Sequence, residues 1–568
     1  MNGVPPYSLK RNPGLYFRTV RHLKLSQIYW LVVRRLLPSP KFVAAEGVSA
    51  EFELSHGKWL GVPQPVDKPD EFRFLNESKS FDPDDIGALD WVAADEKKLW
   101  RYNLHYFDYL HWDAFPDSTK DALIDSWIDA CPPKQPISWD PYTTSLRLVN
   151  WIKYFLARDS KEPVPQHWLD SLFSQATWLS QTMEYQILAN HLVKNGKAMV
   201  FAGLFFKGSA AADFLQLGCR VMLDQLREQF LDDGAHFERS PMYHLIVLED
   251  YLDFINLLQH QHLPVSEADA RDAEKRVAGA LQYMFDTSAG DDRIALFNDS
   301  AFGIAPGLQQ FADYGKTLFD YVSPCATGQA NRVYKPEAGY FGYRKGGDSF
   351  LIDCGPVGPD YQPGHAHSDT LSYELCIGGQ RLVVDTGTYT YELCERRYEN
   401  RQTAAHNTVR IDKEEQTEVW DSWRVGRRAY PQDARLSDWE NGTLCFSGAH
   451  DGYLRLPGAP LHKREVIVAE SGSWQIVDSI TGQGCHELES YIHLHPDVTP
   501  EKTGELEFEL RVDGSTIASL TIEEGSDVFI EESFWCPEFG VKHGNKVVVL
   551  RQTKDLPARM AYTISKSA

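Results

Sequence analysis

The 568-residue sequence has no run of about eighteen uncharged apolar residues, which argues against a membrane-spanning helix. It has no C-x-x-C pair. The nine cysteines, Cys131 through Cys536, are scattered and odd in number, so they read as reduced thiols rather than a disulfide or zinc framework. A secretory pattern is also missing, because Arg11, Arg18, Arg21, His22 and Lys24 interrupt the stretch where an apolar signal core would lie. These absences lead us to expect a cytoplasmic protein, or a periplasmic or secreted one if a leader has been removed. Positive charge is short, with 57 Lys and Arg against 80 Asp and Glu, for a net charge of −23. A general nucleic-acid surface is therefore not expected, nor any overall attraction to anionic membranes.

Apolar residues make up 43% of the chain and aromatics 12%, the composition of a globular protein, and the length calls for more than one core. Residues 1–90 read as amphipathic helices followed by a Pro-rich linker. Leu15 to Lys24 and Ile28 to Leu37 place apolar residues at helical spacing with basic ones between them, expected to dock on the body, a membrane-surface helix being the alternative. From 91 to 330, apolar residues recur at i, i+3 and i+4. Helices are expected over Leu99–Leu110, Thr144–Phe155, Trp168–Tyr185, His191–Phe206, Ala211–Phe230 and Met242–Gln259. Successive helical hairpins of this length suggest an α/α toroid or bundle with a groove for an extended chain. From 331 to 568, strand-length runs such as Ser349 to Asp353 and Arg464 to Ala469 alternate with turn residues, as in an antiparallel β-sandwich. The fold class is α+β, with a cleft where the two domains meet.

Several clusters carry chemistry. His365-Ala-His367-Ser-Asp369, read as strand, would point both imidazoles to one face, with Asp385 and His406 further on. Imidazoles and a carboxylate suit zinc or a similar divalent ion, although backbone-bonded core histidines would give the same pattern. The helical part offers Asn190-His191, the run Glu238-Arg239-Ser240-Pro241-Met242-Tyr243, and Asn298-Asp299. Pro241 is placed to open a helix, and Glu238 reads as a salt-bridge partner of Arg239. Arg396, Arg397 and Arg401 form a basic cluster suited to a polyanion or simply to solvent. Trp139, Tyr142 and Arg147 would line a sugar groove or pack in the core. His493 and His495 are read as structural.

In this order, over a helical and then a β half, these segments resemble the heparinase II/III-like polysaccharide lyases. The resemblance implies an N-terminal α/α toroid, a C-terminal antiparallel β-sandwich, and β-elimination on uronate polysaccharides. It implies that Asn190 binds the uronate carboxylate and that Tyr243 serves as base and acid, its pKa lowered by Arg239, His365 or a metal. His191 becomes a second base for uronates of the opposite C5 configuration, and His365 orients Tyr243. Arg239, Asn298 and Asp299 belong with the substrate, as would Arg396 and Arg401. Matching positions give His367, Asp385 and His406 as ligands of a divalent ion, zinc foremost, with manganese or calcium as alternatives. The expected partner is a polyanionic polysaccharide: a glycosaminoglycan such as heparan sulfate, hyaluronan or chondroitin, with alginate as the alternative. A non-catalytic carbohydrate-binding or exopolysaccharide-assembly protein is the competing class. A glycoside hydrolase would need paired carboxylates, which Asp232, Asp233 and Glu238 do not convincingly form. The oligomeric state is left open.

Overall fold

In the computed structural model, which describes residues 13–158, 163–319 and 331–567, the apolar periodicity of the first half is realised as helices. A short pair, α1 (Pro13–Val20) and α2 (Leu25–Leu36), precedes an extended strap and a hairpin of β1 (Glu71–Phe74) and β2 (Glu77–Ser80). Antiparallel helical hairpins follow: α3 (Lys98–Tyr106), α4 (Asp117–Ala130), α5 (Pro141–Ala157), α6 (Gln166–Thr182), α7 (Ala189–Phe205), α8 (Ser209–Gln229), α9 (Pro241–His260), α10 (Glu267–Asp286) and α11 (Leu308–Phe319).

Local chemistry sets the helix ends. Ser240 caps α9, its Oγ accepting the Tyr243 amide at 3.2 Å, and Pro241 occupies the first turn as expected. The helix expected through Leu110 instead breaks at Phe107, which takes a left-handed conformation (φ 65°). Burying the Phe107 ring completely in the aromatic core offsets that strain. Close approach of α7 and α8 depends on Gly203 and Gly218. A Cβ at Gly218 would lie 2.5 Å from the Val200 amide nitrogen, and one at Gly203 would lie 2.4 Å from that of Leu215. Trp100, Trp127, Trp151 and Trp168 fill the helical core.

The β half begins with a five-stranded antiparallel meander, β3 (Asn331–Lys335), β4 (Tyr340–Lys345), β5 (Asp348–Asp353), β6 (Tyr373–Ile377) and β7 (Gln380–Val383). After α12 (Glu395–Arg401) come β8 (Val409–Ile411) and a two-strand ladder of β9 (Val419–Trp420) and β10 (Arg424–Val425). An eight-stranded sheet runs in the order β11 (Pro431–Leu436), β12 (Thr443–His450), β13 (Leu461–Ala469), β14 (Ser473–Thr481), β21 (Ala558–Lys566), β18 (Ser515–Ile522), β17 (Glu507–Val512), β16 (Thr499–Lys502). A four-stranded sheet runs β19 (Asp527–Trp535), β20 (His543–Asp555), β15 (Cys485–His493), β8, and a bridge from Val383 to Leu494 joins it to the meander. All three sheets contribute to one core, in which Phe350, Leu375, Trp474, Leu488 and Tyr562 meet.

Buried charge ties this core to the loops facing the helices. Arg464 of β13 makes a two-pronged pair with Asp478 of β14, both fully buried, and His462 joins at 2.8 Å. Arg464 also donates to the carbonyls of Leu371 and Asn407, beside the His367 and His406 segments. Arg464→Ala leaves the Asp478 charge buried with too little compensation, so a loss of about 3–5 kcal/mol is expected, read as a lowered thermal transition. A shift worth less than about 1 kcal/mol would contradict this account.

Candidate active site

The residues singled out in the two halves meet where strained turns aim them. Leu188 (φ 66°) and Ala189 (φ 50°) start α7 and turn Asn190 and His191 inward; Arg239 (φ 56°) and Asn298 (φ 56°) are two further non-glycine residues at positive φ. Such conformations cost about 1–3 kcal/mol each and persist where the surroundings fix them. The resulting contacts centre on Glu238. Its Oε2 accepts the Asn190 amide at 3.2 Å, and its Oε1, which has no hydrogen-bond partner, lies 3.7 Å from His365 Nε2. Glu238 is not the salt-bridge partner of Arg239 expected from sequence, and burial pushes its carboxyl above the usual range. The Tyr243 ring stacks on the His365 imidazole with centroids 3.6 Å apart, and the Tyr391 hydroxyl donates to that of Tyr243 at 3.3 Å. Trp423 stands edge-on to His365 at 5.5 Å.

Two protonation states follow. Burial, reinforced by the Tyr391 and Tyr142 hydroxyls, drives the Tyr243 phenol well above its ordinary value. The resting site therefore holds a neutral phenol, contrary to the expected lowering. Arg239 does not act on it, since its guanidinium donates to the carbonyls of Phe237, Glu337 and Ala338. For His191, burial opposes the charge, but Glu184, whose Oε1 lies 3.0 Å from Nδ1, outweighs burial and raises the imidazole pKa. Glu184 on Nδ1 leaves Nε2 as the nitrogen that can accept a proton.

His365 and His367 lie in a loop, not on a strand, yet both face one carboxylate. Asp299 Oδ2 is 3.0 Å from His365 Nδ1, Oδ1 is 2.9 Å from His367 Nε2, and the Arg397 guanidinium pairs with both oxygens. Burial works against the Asp299 charge, but Arg397, followed by the two imidazoles, holds the carboxyl well below the usual range. Asn298 ties the same loop, its Oδ1 accepting the His367 amide at 3.0 Å and its Nδ2 donating to the Arg239 carbonyl at 3.2 Å. Asn298 and Asp299 are thus buried and bonded to the loop that carries the two histidines.

Of the three expected metal ligands, His406 Nδ1 lies 2.7 Å from Asp385 Oδ2, and the His367 and His406 rings are 5.3 Å apart. His367 Nδ1 and His406 Nε2 are buried and have no partner. Among the described residues no three His, Cys, Asp or Glu side chains converge as a ready-made metal cluster. The donor chemistry nevertheless fits a divalent ion: two unpaired imidazole nitrogens with a carboxylate beside them.

Other expectations are corrected by burial. Arg147 lies in the helical core on the Trp127 ring at 3.9 Å and donates to Gln175 at 2.8 Å, and burial lowers its pKa to about 9. Trp139 is buried with its indole N–H on the Cys131 carbonyl. Arg401, nearly fully buried, donates to the carbonyls of Ala366, Asp421 and Arg424, and burial lowers it to about 9. Arg396 pairs with Glu399 at 2.8 Å. Arg397 and Arg401 are therefore spent within the protein, whereas Arg396 stays partly exposed.

Tyr142 keeps a place at a surface a sugar could reach. With Tyr243 and Tyr391 it lines a chamber of about 400 Å³, whose lining also includes Lys153, Lys194, Lys197, Asp108, Glu249 and Asp250. Its lysines are already paired, Lys153 with Asp253 at 2.6 Å and Lys194 with Asp250 at 2.8 Å. Asn190, Glu238 and His365 lie outside this lining, with His365 stacked on Tyr243. Sequence reading missed Glu184, Tyr391 and Trp423 and misjudged Glu238. The signal for Glu238 was its place in the Tyr243 segment, whereas nothing local marks the aromatic pair.

Residues 73–318 match the family profile described as heparinase II/III N-terminus, and 327–563 match that described as heparinase II/III-like, C-terminal. A heparin-sulfate lyase of Bacteroides stercoris is 23% identical over 447 residues, covering 73% of this chain and 63% of that protein. One from Pedobacter heparinus is 23% identical over 394 residues, covering 64% and 56%. The chain thus spans about three fifths of the length of these curated relatives. Among solved structures, a heparinase III aligns with TM-score 0.69 at 16% identity over 98% of this chain and 93% of that one. The heparan sulfate lyase HepC of Pedobacter heparinus aligns with TM-score 0.59 at 18% identity, over 88% and 82%. At such identities these structures establish the fold.

The His191 pair supplies a test. Because its folded pKa is raised, the pair contributes stability fully below the ordinary imidazole value of about 6.5, and that contribution fades as pH rises through the raised value. In Glu184→Gln the His191 ring, followed by NMR titration, should titrate at lower pH; an unchanged midpoint would contradict the pairing.

Proposed function

The chain belongs to the heparinase II/III family, and from that premise we propose that it is a polysaccharide lyase that cleaves uronate-containing, glycosaminoglycan-like chains by β-elimination. The observation that carries the proposal is the convergence of Asn190, Glu238, Tyr243 and His365, drawn from α7, the turn before α9, α9 itself and the β-domain loop. Elimination needs the uronate carboxylate neutralised, the C5 proton removed and the departing O4 protonated. The Asn190 amide suits the first task, and burial, by disfavouring the Glu238 charge, weakens that residue's repulsion of an anionic group.

The neutral Tyr243 phenol suits the acid, and Glu184 on Nδ1 leaves Nε2 of unprotonated His191 for the base, which divides the other two tasks. His191 Nε2 takes the C5 proton, the carbanion charge spreads into the carboxylate, the C4–O4 bond breaks to leave a C4–C5 double bond, and the neutral Tyr243 phenol gives its proton to O4. His191 then loses its proton to solvent and Tyr243 regains one. This assignment suits a uronate whose C5 proton and O4 lie on opposite faces. For the other epimer Tyr243 would have to act alone, from a pKa that is raised. His365 holds the Tyr243 ring and is itself held by Asp299. Sulfate recognition does not fall to Arg397 or Arg401, which are buried and engaged within the protein. The uronate carboxylate is the anionic group the site is built to meet.

Heparan sulfate is the first polymer to test, given the names of the relatives, followed by hyaluronan, chondroitin and alginate. Cleavage should raise the ultraviolet absorbance of the unsaturated uronate. Tyr243→Phe should lower kcat by about 10²–10⁴-fold with KM nearly unchanged. Normal turnover in that variant would remove Tyr243 from the chemistry. Reducing ends without absorbance would replace elimination by hydrolysis, and binding without cleavage would favour the carbohydrate-binding class.

We also propose that His367, Asp385 and His406 hold a divalent ion, zinc foremost, on the strength of the unpaired buried nitrogens of the two histidines. When bound, it would supply positive charge that fixes the loop carrying His365. Metal analysis should find about one ion per chain in the parent and little in His367→Ala or Asp385→Ala. Full occupancy in both variants, or a metal-free parent of full activity, would refute the assignment.

A further inference from the structure

The pair α1 and α2 docks on the body through its polar and aromatic side and leaves its apolar side outward. On the docked side, Arg18 pairs with Glu418 at 2.8 Å, Gln27 donates to the Tyr361 carbonyl, and Trp30 stacks on Tyr185 at 5.1 Å. On the outer side, Leu25, Tyr29, Val32 and Leu36 follow one another at i, i+4, i+7 and i+11, which places them on one face of α2. Leu25 is 85% exposed and Leu36 75%, and Phe17 of α1 adds another ring at 66%. Leucines this exposed, side by side, are not what docking alone would leave behind.

Charge decides what covers this face. Residues 13–45 contain Arg18, Arg21, Lys24, Arg34, Arg35 and Lys41 and no Asp or Glu, in a chain whose net charge is −23. Arg21, Arg35 and Lys41 are exposed beside the apolar residues. A second copy placed face to face would bring these cations against themselves, and a polysaccharide would leave the leucines without a partner. A bilayer with acidic headgroups matches both halves of the surface, lipid chains for the leucines and anionic headgroups for the cations. The acidic remainder is not an obstacle, since repulsion is screened beyond about 8 Å at physiological ionic strength. We propose that the α1–α2 face is a membrane-surface attachment site for anionic lipid, lying in the plane of the interface rather than crossing it. The docked side rests on Tyr361, which lies in the loop that carries His365.

Sedimentation of the full chain with vesicles of phosphatidylglycerol in phosphatidylcholine, against phosphatidylcholine alone, tests the proposal without any substrate. The bound fraction should be at least about tenfold greater on the anionic vesicles at low salt and should fall as salt is raised. The double variant Leu25→Glu, Leu36→Glu should bind them at least about tenfold less, with unchanged circular dichroism and thermal transition, because both side chains are exposed. Arg35→Glu should weaken binding to the anionic vesicles alone. Failure of the parent to sediment, or equal binding by parent and double variant, overturns the proposal. So does a dimer seen by light scattering that the double variant abolishes while vesicles bind neither protein, which would assign the face to a second copy.

Discussion

One carboxylate organises the junction of the two domains. Asp299 belongs to the connection between α10 and α11 of the helical half, yet all its side-chain partners, His365, His367 and Arg397, come from the β half. A fully buried carboxylate is costly unless its charge is met, and here the guanidinium supplies a full opposing charge while the imidazoles take up the remaining hydrogen-bonding capacity. The consequence is geometric. With Asp299 fixed, His365 is turned toward Tyr243 and Glu238, and His367 toward His406. The two imidazoles, to which the family resemblance gives different roles, are held on the two oxygens of one carboxylate.

The helical half shows what periodicity can and cannot convey. The register of α5 through α9 was legible because a helix with one apolar face repeats at a fixed spacing, and Pro241 marked the start of α9. The break at Phe107 was not, because a phenylalanine in left-handed conformation is paid for only by a distant aromatic core. In the β half, alternation revealed strands, whereas the sheet order, which runs from β14 to the last strand β21, depends on contacts far apart in sequence.

The site divides along the same line. Asn190, Tyr243 and His365 could be picked out by residue type and order, and the structure brings them together. Arginines were misread because sequence reports charge and not its partner: Arg147, Arg239 and Arg401 present basic side chains to internal carbonyls and an aromatic ring. Glu238 was misread for the complementary reason. Its neighbour in sequence is a cation, but the left-handed backbone at Arg239 sends the two side chains to different partners. Tyr391 and Trp423 arrive from loops that follow β7 and β9, and only the tertiary fold sets them around His365.

The strained residues Leu188, Arg239 and Asn298 each precede a residue whose direction matters, and none of them is glycine. In engineering terms they are places where robustness and precision pull apart. Glycine there would relieve the local conformation, yet it would also widen the range of angles through which the following side chains swing, by giving the unfolded and the folded chain more freedom. A stabilised variant of this protein is therefore better sought on the outer strands than at these three hinges, where rigidity is what the strain secures.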